Sequence, residues 1–337
     1  MRSPRPAQSA PAHPRAKGLA LAVACFTGLL VLWWAFVDTL PGQFLEAAAL
    51  AGSEIGSHRV DGHARVVLSA ISMPAAVLLV VVILLVGLLR RSHRRASWAI
   101  IAVIGASASA QILKHWILFR PDHGITARWD NANTLPSGHT TMAASAAVAL
   151  ILLVDARWRV PAAWLGAAMT VAMGYSTLVR QWHRPADVVA AVLLAVGWGA
   201  LAVAGGAWSD GESPSHASPD DIADPARPGF VPSLAHEERD DGESRRQTRR
   251  GPYGRGSGSA PRLTALWIVG ALCAGISLAL GLWVLTRMGS PLGRGEYFAS
   301  YATGSVALVA ASCLSMAGLV ALVPDDDARA SLPPETP

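Results

Sequence analysis

The sequence predicts an all-α fold: a polytopic transmembrane helix bundle with a six-helix core and two further C-terminal transmembrane helices. Three observations predict it. First, 52% of the 337 residues are hydrophobic and only 15% are charged, against roughly 25% charged in ordinary soluble domains. Second, eight apolar runs recur along the chain, most of them near the ~20 residues that a helix needs to cross a bilayer core. Third, the runs are continuously apolar rather than alternating, which favours helices over barrel strands. The mean hydropathy of +0.36 agrees. A wholly soluble protein, a disordered chain and a collagen-like chain are excluded.

The elements follow in order. Residues 1–17 form a basic, polar N-terminal tail on the cytoplasmic side. The first run, 18–37, is longer than the 7–15-residue core of a signal peptide and lacks a small-x-small cleavage site. It reads as a retained helix with Trp33, Trp34 and Phe36 near the interface. Runs at 66–89, 96–119, 139–156, 160–179 and 187–208 complete a core over 18–208, with 139–156 short for a span. Residues 209–262 are rich in Ser, Pro, Gly and charge, acidic first and then Arg-rich. Too little apolar surface is present there to offset ordering entropy, so a disordered cytoplasmic linker is expected. Runs at 264–286 and 297–323 give a two-helix C-terminal transmembrane region over 263–323, followed by a polar tail, 324–337.

Charge sets the orientation. With both termini cytoplasmic, 19 Lys and Arg lie inside and 8 outside, Lys114 falling within a span. That bias supports both ends inside. The connections 120–138, 180–187 and 287–296 then lie outside. The basic residues cluster at the ends of apolar runs, so the pI near 9.6 reflects topology, and no nucleic-acid partner is expected. Cys25, Cys273 and Cys313 each sit in an apolar run and have neither a pairing pattern nor metal-ligand spacing.

Three polar segments meet the outer face. In the first, Lys114 lies near a helix end, and Arg120 precedes Pro121, which marks a helix exit. The planar fork of Arg120 suits phosphate oxygens. The second reads Pro136-Ser137-Gly138-His139 ahead of an apolar helix. Ser137 is an N-cap, Gly138 lets an anion approach the free N–H groups of the first turn, and His139 is aimed at that anion. In the third, His183 and Asp187 stand four apart. On a helix they share a face, so Asp187 holds one imidazole nitrogen and leaves the other free as nucleophile or base. Together the segments suit phosphoryl transfer. No carboxylate cluster or zincin spacing is present, and no metal or other cofactor is expected.

These residues resemble the type 2 phosphatidic acid phosphatase superfamily, which includes membrane lipid phosphatases and soluble vanadium haloperoxidases. The family carries a Lys…Arg-Pro motif, a Pro-Ser-Gly-His motif and a Ser-Arg…His…Asp motif. The resemblance spans about residues 60–208. Pro136, Ser137, Gly138, His139, His183 and Asp187 match in identity and spacing. Two departures stand out. Five residues rather than six separate Lys114 from Arg120, a rotation of ~100° on a continuous helix. That matters less if the helix ends before Arg120. The family's Ser-Arg pair is Ser176-Thr177 here, so its phosphate-binding Arg is missing. Arg180, about one turn on, is the expected replacement, with Arg184 second.

The resemblance implies a membrane lipid phosphatase, metal-independent, acting on a polyprenyl diphosphate, phosphatidic acid or related lipid phosphate at the extracytoplasmic face, and the composition, heavy in Ala, Val and Arg, resembles that of bacterial proteins. It assigns phosphate binding to Lys114, Arg120, Ser137, the Gly138 N–H and Arg180. His183 becomes the nucleophile that forms a phosphohistidine, Asp187 its orienting acid, and His139 the acid that protonates the leaving oxygen. Two alternatives share these residues: a phosphotransferase, in which another hydroxyl intercepts the phosphohistidine, and a non-catalytic lipid-binding membrane protein.

Overall fold

The computed structural model describes residues 14–60, 80–83, 85, 87, 89, 93–125, 133–208 and 260–322. The chain divides into two units, residues 1–208 with 259–337 and residues 209–258. Residues 209–259 of the expected linker over 209–262, most of the run at 66–89, residues 1–13 of the N-terminal tail and the whole tail over 324–337 lie outside the described residues.

Besides the helical residues at 80–83, eight helices order the described part of the larger unit: α1 Pro14–Leu32, α2 Leu40–Val60, α3 His93–Ile112, α4 Gly138–Leu153, α5 Ala156–Val179, α6 Pro185–Ala204, α7 Ala260–Leu285 and α8 Arg294–Val320. Two wider π-helical turns, Trp33–Asp38 and Leu113–Ile117, extend α1 and α3. No strand occurs among the described residues. Six helices, the extended α1 and α3 with α5, α6, α7 and α8, are long and apolar enough to cross a bilayer, as in a multi-pass membrane protein. Helix α4 is apolar but shorter, in line with the short run read there.

Helix α6 is the hub. It packs against α1, α3, α4 and α8, and its sequence explains why. Ala186, Ala190, Ala191, Ala195, Gly199 and Ala200 are buried along it. Inside a bilayer no hydrophobic force favours one helix neighbour over lipid, so small residues that let backbones approach closely drive the association. By contrast, α1 and α7 lie at the periphery, with most of their apolar side chains exposed.

Helix α2 is a finding that the run of apolar residues does not announce. Its sequence is Ala-rich and helix-favouring but too polar for a span, and it buries Gln43, Glu46 and Ser53. It packs chiefly on α8 and also touches α5 and α6. Glycine at 52 is what permits the first contact: a Cβ there would stand 1.9 Å from the Tyr297 carbonyl oxygen of α8. The C-terminal helix α8 also packs on α5, α6 and α7, so it forms a wall of the bundle that carries the polar segments.

Candidate active site

The polar segments meet where α3, α4 and α6 present their loop-facing ends. The chain reaches His183 through a tight reversal. Helix α5 ends at Val179, and Arg180 caps it. The Trp182 N–H donates to the Thr177 carbonyl at 3.0 Å and the Gln181 N–H to Leu178 at 3.0 Å. Gln181 takes the left-handed conformation at φ 58°. These are the bonds of a Schellman turn, with Gln where Gly is usual. The Gln181 amide reaches α2, bonding to the Leu50 carbonyl and the Ser53 hydroxyl at 3.2 Å and to Glu54 at 3.3 Å.

Pro185 then opens α6, and Asp187 sits inside its first turn. The His183 ring nitrogen Nδ1 lies 3.2 Å from Asp187 Oδ2. That same oxygen accepts from the Thr134 hydroxyl at 2.6 Å and from the Arg184 N–H at 2.9 Å. Both His183 and Asp187 are buried. With Nδ1 committed to the carboxylate, Nε2 is the nitrogen left to meet a substrate. The Arg184 side chain, itself buried, donates from Nη1 to Thr134 Oγ1 at 3.1 Å.

The start of α4 is tied to the same turn. Ser137 caps the helix, its hydroxyl accepting from the Thr140 N–H at 3.4 Å. The Ser137 N–H donates to the Asp187 carbonyl at 2.9 Å. Gly138 and His139 form the first turn of α4. A Cβ at Gly138 would meet nothing nearer than 3.9 Å, so space lies open above that turn. The His139 ring centroid is 6.5 Å from that of His183 and 5.5 Å from that of Trp182. The two imidazoles thus face each other across a gap, beside the free N–H groups and positive end of a helix.

Arg120 arrives from the third direction. The π turn ends at Ile117 and Leu118 is extended, so the helix stops before Arg120 and the short Lys114–Arg120 spacing does not rotate the two apart on one cylinder. Three side chains grip the carbonyls on either side of Arg120. Trp33 donates to Phe119 at 3.0 Å, Asn133 to Leu118 at 2.9 Å and Gln43 to Pro121 at 2.8 Å. The Arg120 side chain is only 1% exposed and lies 3.6 Å from Glu46, also 1% exposed. Its Nε and Nη2 make no hydrogen bond to protein, although a buried donor without a partner costs about 1–3 kcal/mol. Lys114, half-buried in the π turn, lies close enough to act electrostatically on His139 and Asp187.

The two residues weighed for the missing Arg fare differently. Thr177 turns its hydroxyl to the Gly174 carbonyl at 2.8 Å. Arg180 is exposed, its guanidinium 5.0 Å from the Trp182 ring centre, on the rim of the site. Arg184 is buried among Thr134 and Asp187. Among the described residues no three His, Cys, Asp or Glu side chains gather as a metal site.

All three polar segments fall in one matched stretch. Residues 95–209 match the family model of the PAP2 superfamily. Phosphatases acting on phosphate esters belong to that superfamily, and the match supports a phosphoric ester hydrolase. No curated protein and no solved structure matches the chain. The PAP2 match holds Lys114, Arg120, Ser137, His139, His183 and Asp187 but stops short of α1, α2, α7 and α8. Trp33, Gln43 and Glu46 therefore belong to the site's surroundings without belonging to the matched region. Thr134 lies within it but carries no motif of its own. Only its place two residues ahead of Pro136 could have drawn attention to it.

Proposed function

We propose that the protein hydrolyses a lipid phosphate or diphosphate without a metal, through a phosphohistidine on His183, at the extracytoplasmic face of a cell membrane. The observation that carries this reading is the His183–Asp187 pair, with Asp187 Oδ2 held by two further donors and His139 across the gap. Three donors on one carboxylate oxygen fix the imidazole tautomer and stabilise its charged form.

The steps follow from that arrangement. Arg120, Lys114, Ser137 and the N–H groups of the first turn of α4 hold the phosphoryl oxygens, with Arg184 as the second buried guanidinium and Arg180 drawing anions at the rim. His183 Nε2 attacks phosphorus, and a nitrogen–phosphorus bond forms as the bond to the ester oxygen breaks. His139, protonated, gives its proton to that leaving oxygen. Water then attacks the phosphohistidine, His139 takes the water's proton, and the nitrogen–phosphorus bond breaks to release phosphate.

A lipid substrate is supported by an apolar cavity beside the polar cluster. Phe36, Leu45, Ala49, Val189 and Ala307 line it, and it reaches Glu46, Pro185 and Ala186. A second cavity of about 430 Å³ shares Phe36, Leu45 and Ala307 and runs along α7, a size within the range of small-molecule sites, ~300–1,000 Å³. The excess of Lys and Arg in the connections opposite the site favours cytoplasmic termini and an outward-facing site.

The test is phosphate release by full-length protein in detergent with EDTA, from a panel of lipid phosphates and diphosphates. Release that survives EDTA, is blocked by vanadate and vanishes in His183→Ala is the expected result. Undiminished turnover in His183→Ala refutes the phosphohistidine.

A further inference from the structure

We infer that Glu46 is a positioning residue for the phosphate site: its neutral carboxyl leaves Arg120 free for phosphate, and its ionised form reclaims Arg120. This rests on the reading of Arg120 as a phosphate ligand. The geometry is that of a reversible competitor. Glu46 Oε1 accepts the Ala186 N–H at 2.9 Å, which anchors the carboxyl to the first turn of α6. Oε2 points toward Arg120 Nη1 but stops at 3.6 Å, and it has no hydrogen-bond partner. Arg120 likewise keeps Nε and Nη2 unbonded while fully buried. Two buried polar groups thus face each other without closing a full ion pair. Buried charges in that condition are costly unless a further partner completes them.

The charge balance says what that partner is. The charged groups acting on Glu46 are Arg120, Arg184 and Asp187. Helices α7 and α8 face the same cavity with Ser277, Ser300 and Thr303, and the α5 turn meets α2 with Gln181. Guanidinium groups stay protonated. With Glu46 neutral, two guanidiniums stand against one carboxylate and the cluster calls for an anion. With Glu46 ionised, the two guanidiniums face two carboxylates, and Arg120 is drawn back to Glu46. Helix α2 is not one of the long apolar spans, and burial, then the Asp187 carboxylate, push Glu46 up to about 8. The carboxyl is therefore mainly neutral near pH 7 and ionises just above it. Phosphate bound at Arg120 favours the neutral form, so binding in the alkaline range takes up a proton.

The experiment is calorimetric titration of full-length protein in detergent with inorganic phosphate, in buffers of differing ionisation enthalpy. The wild type is expected to weaken about tenfold in phosphate affinity between about pH 7 and about pH 9, beyond phosphate's own ionisation, and to take up close to one proton at the higher pH. Glu46→Gln keeps an acceptor for Ala186 but cannot ionise. It is expected to bind as the wild type does near pH 7 and to lose both effects. The same weakening in Glu46→Gln, or no phosphate binding by folded wild type, overturns the inference. If Glu46→Gln fails to fold, absence of proton uptake by the wild type at about pH 9 overturns it alone. His183→Ala is titrated in parallel and is expected to retain the proton uptake. Turnover surviving in that variant would sink the phosphohistidine while leaving the Glu46 result to stand.

Discussion

One oxygen of Asp187 receives His183, Thr134 and the Arg184 N–H, and each donor does different work. His183 gains orientation, the Arg184 N–H closes the first turn of α6, and Thr134 links the pair to the Arg184 side chain. Thr134→Val keeps the shape and removes the hydroxyl. A hydrogen bond to a charged group is worth about 1.5–3 kcal/mol, so kcat should fall by at least roughly tenfold while KM changes little. Steady-state kinetics on the best lipid substrate checks this. His139→Ala should lower kcat by roughly 10²–10⁴-fold on a lipid ester. The loss should shrink on p-nitrophenyl phosphate, whose leaving oxygen needs no proton. An equal loss on both substrates would remove His139 from the role of acid. Glu46 adds a pH dependence of stability. Its folded pKa of about 8 lies above the ordinary 4.5, so the fold prefers the neutral form. That contribution is complete below the unfolded value and is lost as pH rises through the interval to about 8. Thermal unfolding of wild type should therefore fall relative to Glu46→Gln across that interval. Parallel curves would show that Glu46 titrates alike in both states.

The connecting elements determine whether those residues meet, and here the sequence was only partly legible. Ser137, Gly138, His139, His183 and Asp187 stand out because chemistry demands particular residue types at fixed local spacing, and each motif lies within one turn of a helix start. Gln43, Glu46 and Trp33 do not, because their partners are far away in the chain. Ala186 is 140 positions from Glu46, and Pro121 is 78 from Gln43. Helix α2 lacks a long apolar run, since its buried face includes the polar Gln43, Glu46 and Ser53. Where Arg180 stands relative to Thr177 is decided at the same level. The helix stops at Val179, and the left-handed Gln181 turns the chain away. No Gly or Asn marks that turn, so its position was hidden. The left-handed conformation costs about 1–2 kcal/mol for an L-residue, and the Gln181 bonds to α2 offset it. Gln181→Gly relieves the strain but loses those bonds, each worth about 0.5–1.5 kcal/mol. A net fall in melting temperature with a rise in KM is expected. A stabilised variant with unchanged kinetics would show that the α2 contacts contribute nothing.

Seven of the eight apolar runs fall on described helices, yet the runs carry no information on which helices touch. The C-terminal pair illustrates this. By sequence α7 and α8 follow a long polar stretch and could stand apart, but α8 packs on α2, α5 and α6. Its approach to α6 depends on Gly304, where a Cβ would lie 2.4 Å from Pro185 Cγ. Pro185 is a rigid ring at the first position of α6, two residues before Asp187 and next to the Ala186 N–H that holds Glu46. A branched side chain at 304 cannot be relieved by rotating a flexible neighbour, so either α8 or the first turn of α6 must move. Gly304→Val should therefore lower stability by about 1–3 kcal/mol, the usual cost of overpacking, and reduce kcat in the same variant. Gly275→Val on α7 is the matched control, because a Cβ at 275 meets nothing within 4 Å. It adds the same atoms to the same helix pair without touching α6. Thermal unfolding and phosphate release measured on both variants separate the two outcomes. If Gly304→Val behaves like Gly275→Val, α8 is a passive neighbour. If it loses stability and turnover together, the wall that α8 builds is part of what holds Asp187 in place.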